Sequence, residues 1–533
     1  MPTKARNVSF DEGALRRLLL DTEVDPATVY RSSVRTVDGR IYFLVRGDEA
    51  KQFVILADEP PEFSYDSAVQ REGRTVYLCP LSAENARRLR RRFPWTAPEP
   101  IGRTSALGCG DRLGKATPGH IRACRAAGVR PVLAQQSIRE MERTGRPPQE
   151  VLDDASWAVF QEGYTDGYGA DADHLKRTDH IDACLQAGFT MYTIDPSEHV
   201  HTAADELGMD ALVEQYAALP WDLLDTSPEA ALKRYVGEPL LVAGEEDEVE
   251  ISFDEEALMR AAVKYGKALA HTRKLAEYLA GQYDKHRSGE AYDLEMSVDE
   301  TDAPTAPHEH YFVASELDRL GVEVTSLAPR FVGDFEKGID YIGDRAAFEF
   351  SFRQHAAIAQ AFGGYKLSIH SGSDKFSVYP IIGEYAGEHV HLKTAGTSFL
   401  EALRIPARHD PAFFRRIVSL AFDRFADDRK TYHVSTDLSA IPAPDEVADE
   451  ALEETYLEEN NGRQLLHITY GSILSAEKDD RDRFKEHFFD LLDQHEEEHY
   501  EVLRRHLLDH VEGVGTMAIS EGTSPSITSD SSK

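Results

Sequence analysis

Ionisable and hydroxyl side chains recur where apolar runs end in this chain. Asp111 and Arg112 follow "ALGCG", Gln135 and Gln136 close "PVLA", and "GADADHLK" carries Asp171, Asp173, His174 and Lys176. Asp195 ends "MYTI". Asp334, Glu336 and Lys337 follow "LAPRFVG". The run "YKLSI" (365–369) ends on His370, Ser371, Ser373, Asp374 and Lys375. "HVHLKTAGT" holds His389, His391, Lys393, Thr394 and Thr397, and "TYHVSTD" holds His433 and Asp437. Buried ionisable groups are costly unless paired or bound to metal, so their convergence on one rim reads as a polar enzyme pocket. His174, Glu336 and His370 offer two imidazoles and a carboxylate from three different runs. That donor set suits Zn²⁺ with a position left open, and Mn²⁺, Ni²⁺ or Co²⁺ could also fit. His391 and Asp171 are reserve ligands; a hydrogen-bonded network without metal is the other reading of the same residues. "HSGSD" (370–374) offers a turn able to hold oxyanions. No GxxxxGK[ST] is present, so no nucleotide is expected.

The elements that must carry these groups repeat as strand, polar loop, helix from about residue 103. Eight strand candidates begin at "TSALGCG" and end at "TYHVSTD", alternating with helices such as "TPGHIRACRAAG" and "RTDHIDACLQAG". The count and the short links predict an α/β fold of the (β/α)8 TIM-barrel type, over 103–475. In such a barrel, chemistry sits at the C-terminal ends of the strands. A charged helical insertion is expected at about 203–320, including "DEEALMRAAVKYGKALAHTRKLAEYLAGQYDKH". Residues 1–100 read as a small α+β module of paired strands and a serine-capped helix, with 96–102 as a linker. One amphipathic helix is expected at 476–512, its histidines on a charged face. The remaining tail, 513–533, should be disordered.

The 533 residues carry a net charge of −35. Such a surface repels nucleic acid and anionic lipid, so neither is an expected partner. No run of about 18 apolar residues is present, and no membrane association is expected. Cys79, Cys109, Cys124 and Cys184 form no CxxC pair. They fit free thiols in a reducing cytoplasm. Oligomeric state stays open.

At these residues the sequence resembles the tagaturonate epimerase family of hexuronate catabolism. The resemblance rests on "ALGCGDRLGKATPGHIRA" (106–123), "PVLAQQSIREM" (131–141), "GADADHLK" (169–176) and "TIDPSEHV" (193–200). It continues through "RFVGDFEKGIDYIGD" (330–344), "SIHSGSDKFSVYP" (368–380) and "HLKTAGTSFLEALR" (391–404). The family implies interconversion of D-tagaturonate and D-fructuronate with a divalent metal. A lesser likeness is to class II metal-dependent sugar aldolases, in Asp173-His174 and in His370-Ser371-Gly372-Ser373. Glu336 stands where those enzymes place a further histidine. An aldolase or isomerase for a related sugar acid or free ketohexose is the alternative, and a non-catalytic sugar-binding subunit a third.

The two ketouronates differ at a hydroxyl-bearing carbon β to the ketone, where enolisation cannot act. Retro-aldol cleavage and re-addition, or redox chemistry at the alcohol, remain. Retro-aldol needs a Lewis acid on the ketone and an acid/base for the β hydroxyl. The expected catalytic groups are Asp173, the favoured proton shuttle, with Asp171 and Lys393. Lys393, Lys375 or Arg112 would hold the substrate carboxylate. Asp111, Gln135, Gln136, Lys176, Asp195, Ser371, Ser373, Asp374 and Thr397 complete the expected substrate contacts.

Overall fold

The computed structural model describes Gly13 and residues 28–515, other than 48–49, 72, 244–247, 302 and 477–483. The expected tail beyond residue 515 lies outside the described residues. Eight parallel strands close into a barrel in chain order. They are β1 (Ala106–Gly108), β2 (Arg130–Ser137), β3 (Gly169–Leu175), β4 (Met191–Ile194), β5 (Asp293–Ser297), β6 (Ser326–Ala328), β7 (Lys366–Ile369) and β8 (Val390–Lys393). β8 pairs with β1, His391 against Ala106, and seals the ring.

Alternation along each strand divides its residues between two environments. Leu367, Ile369, Val390, Leu392, Leu294 and Met296 join the apolar layer under the helices. The intervening Lys366, Ser368, His391, Lys393 and Glu295 are also buried. Lys393 and His391 meet Glu295 across the ring, so this face points into the bore. TIM barrels usually fill that bore with branched apolar side chains; here much of it is charged.

Two strand assignments differ from expectation. The fifth strand is Asp293–Ser297, inside the stretch expected to be insertion. "TYHVSTD" forms no strand; it begins in a single turn, Arg429–Thr431, and continues as irregular chain. Its Ser435 and Thr436 bond Glu336 and Gln464 instead of a strand neighbour. The insertion therefore ends at β5, and the helix Pro307–Arg319 belongs to the barrel. The 32-residue helix Glu255–His286 packs between Thr178–Ala187 and Pro307–Arg319, so it stands in the barrel's outer ring.

Before the barrel, a five-stranded antiparallel sheet spans Arg35–Cys79. Its helix Ala83–Arg92 is capped by Ser82, which accepts from the Asn85 N–H. After β8 the chain builds a helical lobe with its own apolar core, around Phe399, Phe414, Ile417, Leu465 and Phe488. The single C-terminal helix expected at 476–512 is two helices, Phe484–Gln494 and Glu496–Val514. His495 between them leaves the helical region at φ −112°, ψ 33°. Glu496–Val514 then packs against Thr117–Ala127 and Tyr379–Ala386 and completes the ring.

Candidate active site

Lys393 is the centre of the rim. Its Nζ lies 2.8 Å from Asp171, 2.7 Å from Asp173 and 2.8 Å from Glu295, with Thr193 Oγ1 at 3.0 Å. Burial alone would pull the ammonium down; the three carboxylates outweigh it and hold Lys393 well above the usual lysine range. Burial pushes Asp171 up to about 6 even though Lys393 opposes the shift. Asp173 is held low against burial by Lys393 and the neighbouring imidazoles.

Beside Lys393, donor atoms of Asp173, His174 and His370 lie within 4.8 Å of one another. Each imidazole is oriented from behind. His174 Nδ1–H donates to Asp195 Oδ2 at 3.0 Å, and His370 Nε2–H donates to Glu295 Oε1 at 2.7 Å. That leaves His174 Nε2 and His370 Nδ1 as the nitrogens a metal ion would take in exchange for their protons. A carboxylate behind each ligating histidine is the usual support of a metal site. Asp299 lies 3.1 Å from His370 Nδ1. Burial would keep both imidazoles neutral, yet Asp173, Glu300 and Asp195 raise His174 to about 10, and Asp299 and Glu295 help raise His370 to about 9. The pocket draws positive charge, and two nitrogens with one carboxylate fit a divalent ion.

Backbone geometry is unusual at the same place. His174, Ser371 and Asp374 have φ of 54°, 51° and 62°. Left-handed backbone in residues with a Cβ is costly and persists where surroundings over-determine it. At 370–375 the surroundings do so. The Asp374 N–H donates to His510 Nε2 at 2.9 Å, Tyr379 Oη–H donates to the Gly372 carbonyl, and Lys375 Nζ donates to the carbonyls of Glu336, Ile339 and Ser373.

Two chambers meet over these groups. The deep one, about 40 Å³, is lined by Asp173, His174, His370, Ser373, Lys393 and Arg112. The wider one, about 370 Å³, opens past Asp299, Arg330, Glu336 and His433. Arg139, Lys337, His370, Ser371 and Tyr432 line both.

Residues 30–514 match the tagaturonate epimerase family. The chain belongs to that family. It is 44% identical over 485 residues to the tagaturonate/fructuronate epimerase of Thermotoga maritima, covering 91% of this chain and 96% of that protein. A crystal structure of the fructuronate-tagaturonate epimerase from Cohnella laeviribosi, complexed with two glycerols, superimposes with a TM-score of 0.85. Its identity is 41%, over 95% of this chain and 99% of the other. The native crystal structure of that protein gives 0.84 at 41% identity, over 94% and 99%. The chain is thus a carbohydrate epimerase.

In this epimerase the expected site residues fall into separate groups. Gln135, Asp173, His174, His370, Ser371, Ser373 and Lys393 gather at the deep chamber. Gln135 Nε2 donates to Asp173 Oδ2 at 3.0 Å. Glu336 lies on the wider chamber but is not the third member of the histidine group. Its Oε2 accepts from Ser435 Oγ at 2.8 Å and from Gln464 Nε2 at 2.6 Å, and Asp173 takes the place expected for it. His391 is buried below, its Nδ1 3.5 Å from Glu295 Oε2.

Several expected substrate contacts are committed to structure. Asp111 accepts from the N–H groups of Leu113, Gly114, Ala116 and Thr117 and ties the start of a helix. Asp195 supports His174. Lys176 lies 3.2 Å from Glu198 at the surface. Gln136 is buried without lining either chamber. Arg112 donates from Nε and Nη2 to Glu140 and stacks on Tyr470 at 3.7 Å, leaving Nη1 unpartnered. Lys375 is spent on backbone carbonyls, and burial brings its ammonium down to about 7.

Asp374 and Thr397 both meet His506 of the last helix. His506 Nε2 lies 2.9 Å from Asp374 Oδ1 and 2.7 Å from Thr397 Oγ1; Nδ1 lies 3.6 Å from Glu401. Arg463 stands 3.1 Å from Asp374, and His510 already accepts a backbone N–H, so both compete with any cation for this cluster. Burial opposes the imidazolium, but Glu401 and Asp374 raise His506 above its ordinary 6.5. A raised folded value stabilises the fold fully below pH 6.5, and the gain is lost as pH rises through that value. The urea midpoint should therefore fall on the alkaline side of 6.5, and His506→Gln should flatten that fall. Parallel profiles in the two proteins would remove His506 as its origin.

Glu295 and Asp299 were not anticipated as site residues. The available signal was the spacing in "DLEMS": Asp293, Glu295 and Ser297 share one strand face, and Leu294 and Met296 the other.

Proposed function

We propose that this epimerase interconverts D-tagaturonate and D-fructuronate by retro-aldol cleavage and re-addition, with a divalent metal held by Asp173, His174 and His370. The observation that carries this reading is one buried lysine among three carboxylates, beside two imidazoles that each have a carboxylate behind them. The substrate names come from the family and from the relatives in Thermotoga maritima and Cohnella laeviribosi. When bound, the metal supplies Lewis-acid polarisation of the C2 ketone. Zinc suits the donor set best, and Mn²⁺, Ni²⁺ or Co²⁺ also fit.

The chain's own groups do the rest. The C4 hydroxyl proton passes to Lys393 Nζ in one concerted relay as that ammonium yields a proton to Asp171 Oδ2, 2.8 Å behind it, so Lys393 stays charged throughout. The C3–C4 bond breaks, and its electron pair becomes the C2–C3 enediolate, beside the Lys393 ammonium. C4 becomes an aldehyde and turns about the C4–C5 bond. C3 then adds to its opposite face, and the pair returns the proton to the C4 oxygen. Asp173, the shuttle expected from sequence, is held low by Lys393 and the imidazoles, whereas burial raises Asp171 to about 6, so the proton is better carried by Lys393 and Asp171. Ser371 and Ser373 face the substrate hydroxyls.

Among the described residues no helix is long and apolar enough to cross a membrane, and all four cysteines are free and buried, in keeping with a reducing compartment. A substrate deuterated at C4 tests the chemistry. Retro-aldol predicts full retention of the label in the epimer and only a small secondary rate effect. A large primary effect would transfer the reading to hydride chemistry, and washout to solvent would sink both.

A further inference from the structure

We infer that Lys337 is the residue that selects the substrate's terminal carboxylate. The inference rests on the ketouronate reading above and adds its specificity element.

The surface of this chain is strongly acidic, with a net charge of −35. An anionic sugar needs an uncompensated cation inside the pocket. Most cations there are already compensated. Lys393 is matched by three carboxylates. Arg112 is paired with Glu140, and Arg139 with Glu300 at 3.0 Å. Lys375 lies behind the turn, bonded to carbonyls. Lys337 is half-buried and forms no ion pair or hydrogen bond among the described residues; its ammonium acts on Glu140 only from beyond pairing distance, while Arg112 holds that carboxylate directly.

Position separates Lys337 from Arg330, which also lines a chamber and forms no ion pair among the described residues. Arg330 lines only the wider chamber, whereas Lys337 lines both. The deep chamber, about 40 Å³, is much the narrower of the two. The reacting carbons must enter beside His174, His370 and Lys393, and the remainder must lie in the wider chamber. The carboxylate carbon is two bonds beyond the epimerised carbon, so it falls at the junction, where Lys337 stands. Arg112 Nη1 can add a hydrogen bond there, but its charge is neutralised by Glu140. Lys337 supplies the charge that distinguishes a uronate from a neutral ketose.

Calorimetry on the metal-loaded enzyme tests this, with D-galactonate and galactitol as probes that differ in the terminal carboxylate and carry no ketone. The wild type should bind the aldonate about 10- to 100-fold more tightly than the alditol, the effect of one charge-assisted contact. Lys337→Met should bring that ratio near one by weakening the aldonate alone, and Lys337→Arg should restore most of it. In turnover, Lys337→Met should raise KM for the ketouronate while kcat changes little. A ratio unchanged in Lys337→Met, or absent from the wild type, would overturn the inference. A wild type that keeps the preference but never epimerises tagaturonate would overturn the proposed function and leave Lys337 standing.

Discussion

Lys393→Arg is expected to lower kcat by about 10²- to 10⁴-fold, the range for loss of a positioned proton carrier, while the barrel stays folded. The reason is the arrangement around Nζ. One ammonium sits at 2.7–2.8 Å from Asp171, Asp173 and Glu295, and all three carboxylates are buried. Arginine keeps the counter-charge but does not exchange its proton in the working pH range. Lys393→Met leaves the carboxylates without that cation. Breaking a buried pair in this way costs about 3–5 kcal/mol, so this variant should unfold at lower urea. Adding Glu295→Gln removes one of the stranded charges and should return part of the loss. Steady-state rates with urea unfolding on the same preparations separate the two effects. A folded Lys393→Arg enzyme within tenfold of the wild-type rate would refute Lys393 as the proton carrier.

Dialysis against a strong chelator should abolish turnover, and Zn²⁺, Mn²⁺, Ni²⁺ or Co²⁺ should restore it in the wild type. His174→Ala should not be restored at any metal concentration, because it removes one of only two nitrogen donors in the group. Asp195→Asn is the informative intermediate. Its oxygen can still accept from His174 Nδ1, but the charge that raises the imidazole's basicity is gone. Loss of such support typically weakens metal binding about 10- to 100-fold. Asp195→Asn should therefore recover full activity only at correspondingly higher metal. Metal analysis of each preparation, paired with the tagaturonate-to-fructuronate assay, reads the outcome. Activity that survives thorough chelation with no metal detected would end the metal proposal.

Strands that end a clear apolar run were legible in the sequence. "MYTI" and "YKLSI" point to β4 and β7, and the polar groups after them fall on one rim as a barrel requires. β5 was not legible, because it places Asp293, Glu295 and Ser297 into the bore. In sequence that alternation looks like a solvated edge, and only the opposing Lys393 and His370 show that the charges are compensated. Glu336 failed as a ligand for a related reason. Its residue type was right, but its partners, Ser435 and Gln464, come from the helical lobe about 100 residues later. His174 and His370 were found because each directly follows or ends a recognisable strand. Lys375 and Lys393 were visible as cations after strands; that both are already engaged is a property of the packed rim.

The last helix, Glu496–Val514, bears on the order in which this enzyme can be made. Its His510 receives the N–H of Asp374, 136 residues earlier, and its His506 holds the Asp374 carboxylate. Its Glu496 meets Lys51 and Tyr30 of the N-terminal module, at the other end of the chain. Synthesis proceeds from the N-terminus, and contacts distant in sequence form late. All eight strands leave the ribosome well before this helix does. During that interval the strained turn at 371–374 has Tyr379 and Lys375 to hold it but lacks His506 and His510, and the first module lacks its tie to Glu496. A nascent or prematurely terminated chain with a complete barrel sheet therefore still lacks the clamp that joins this turn to the N-terminal module.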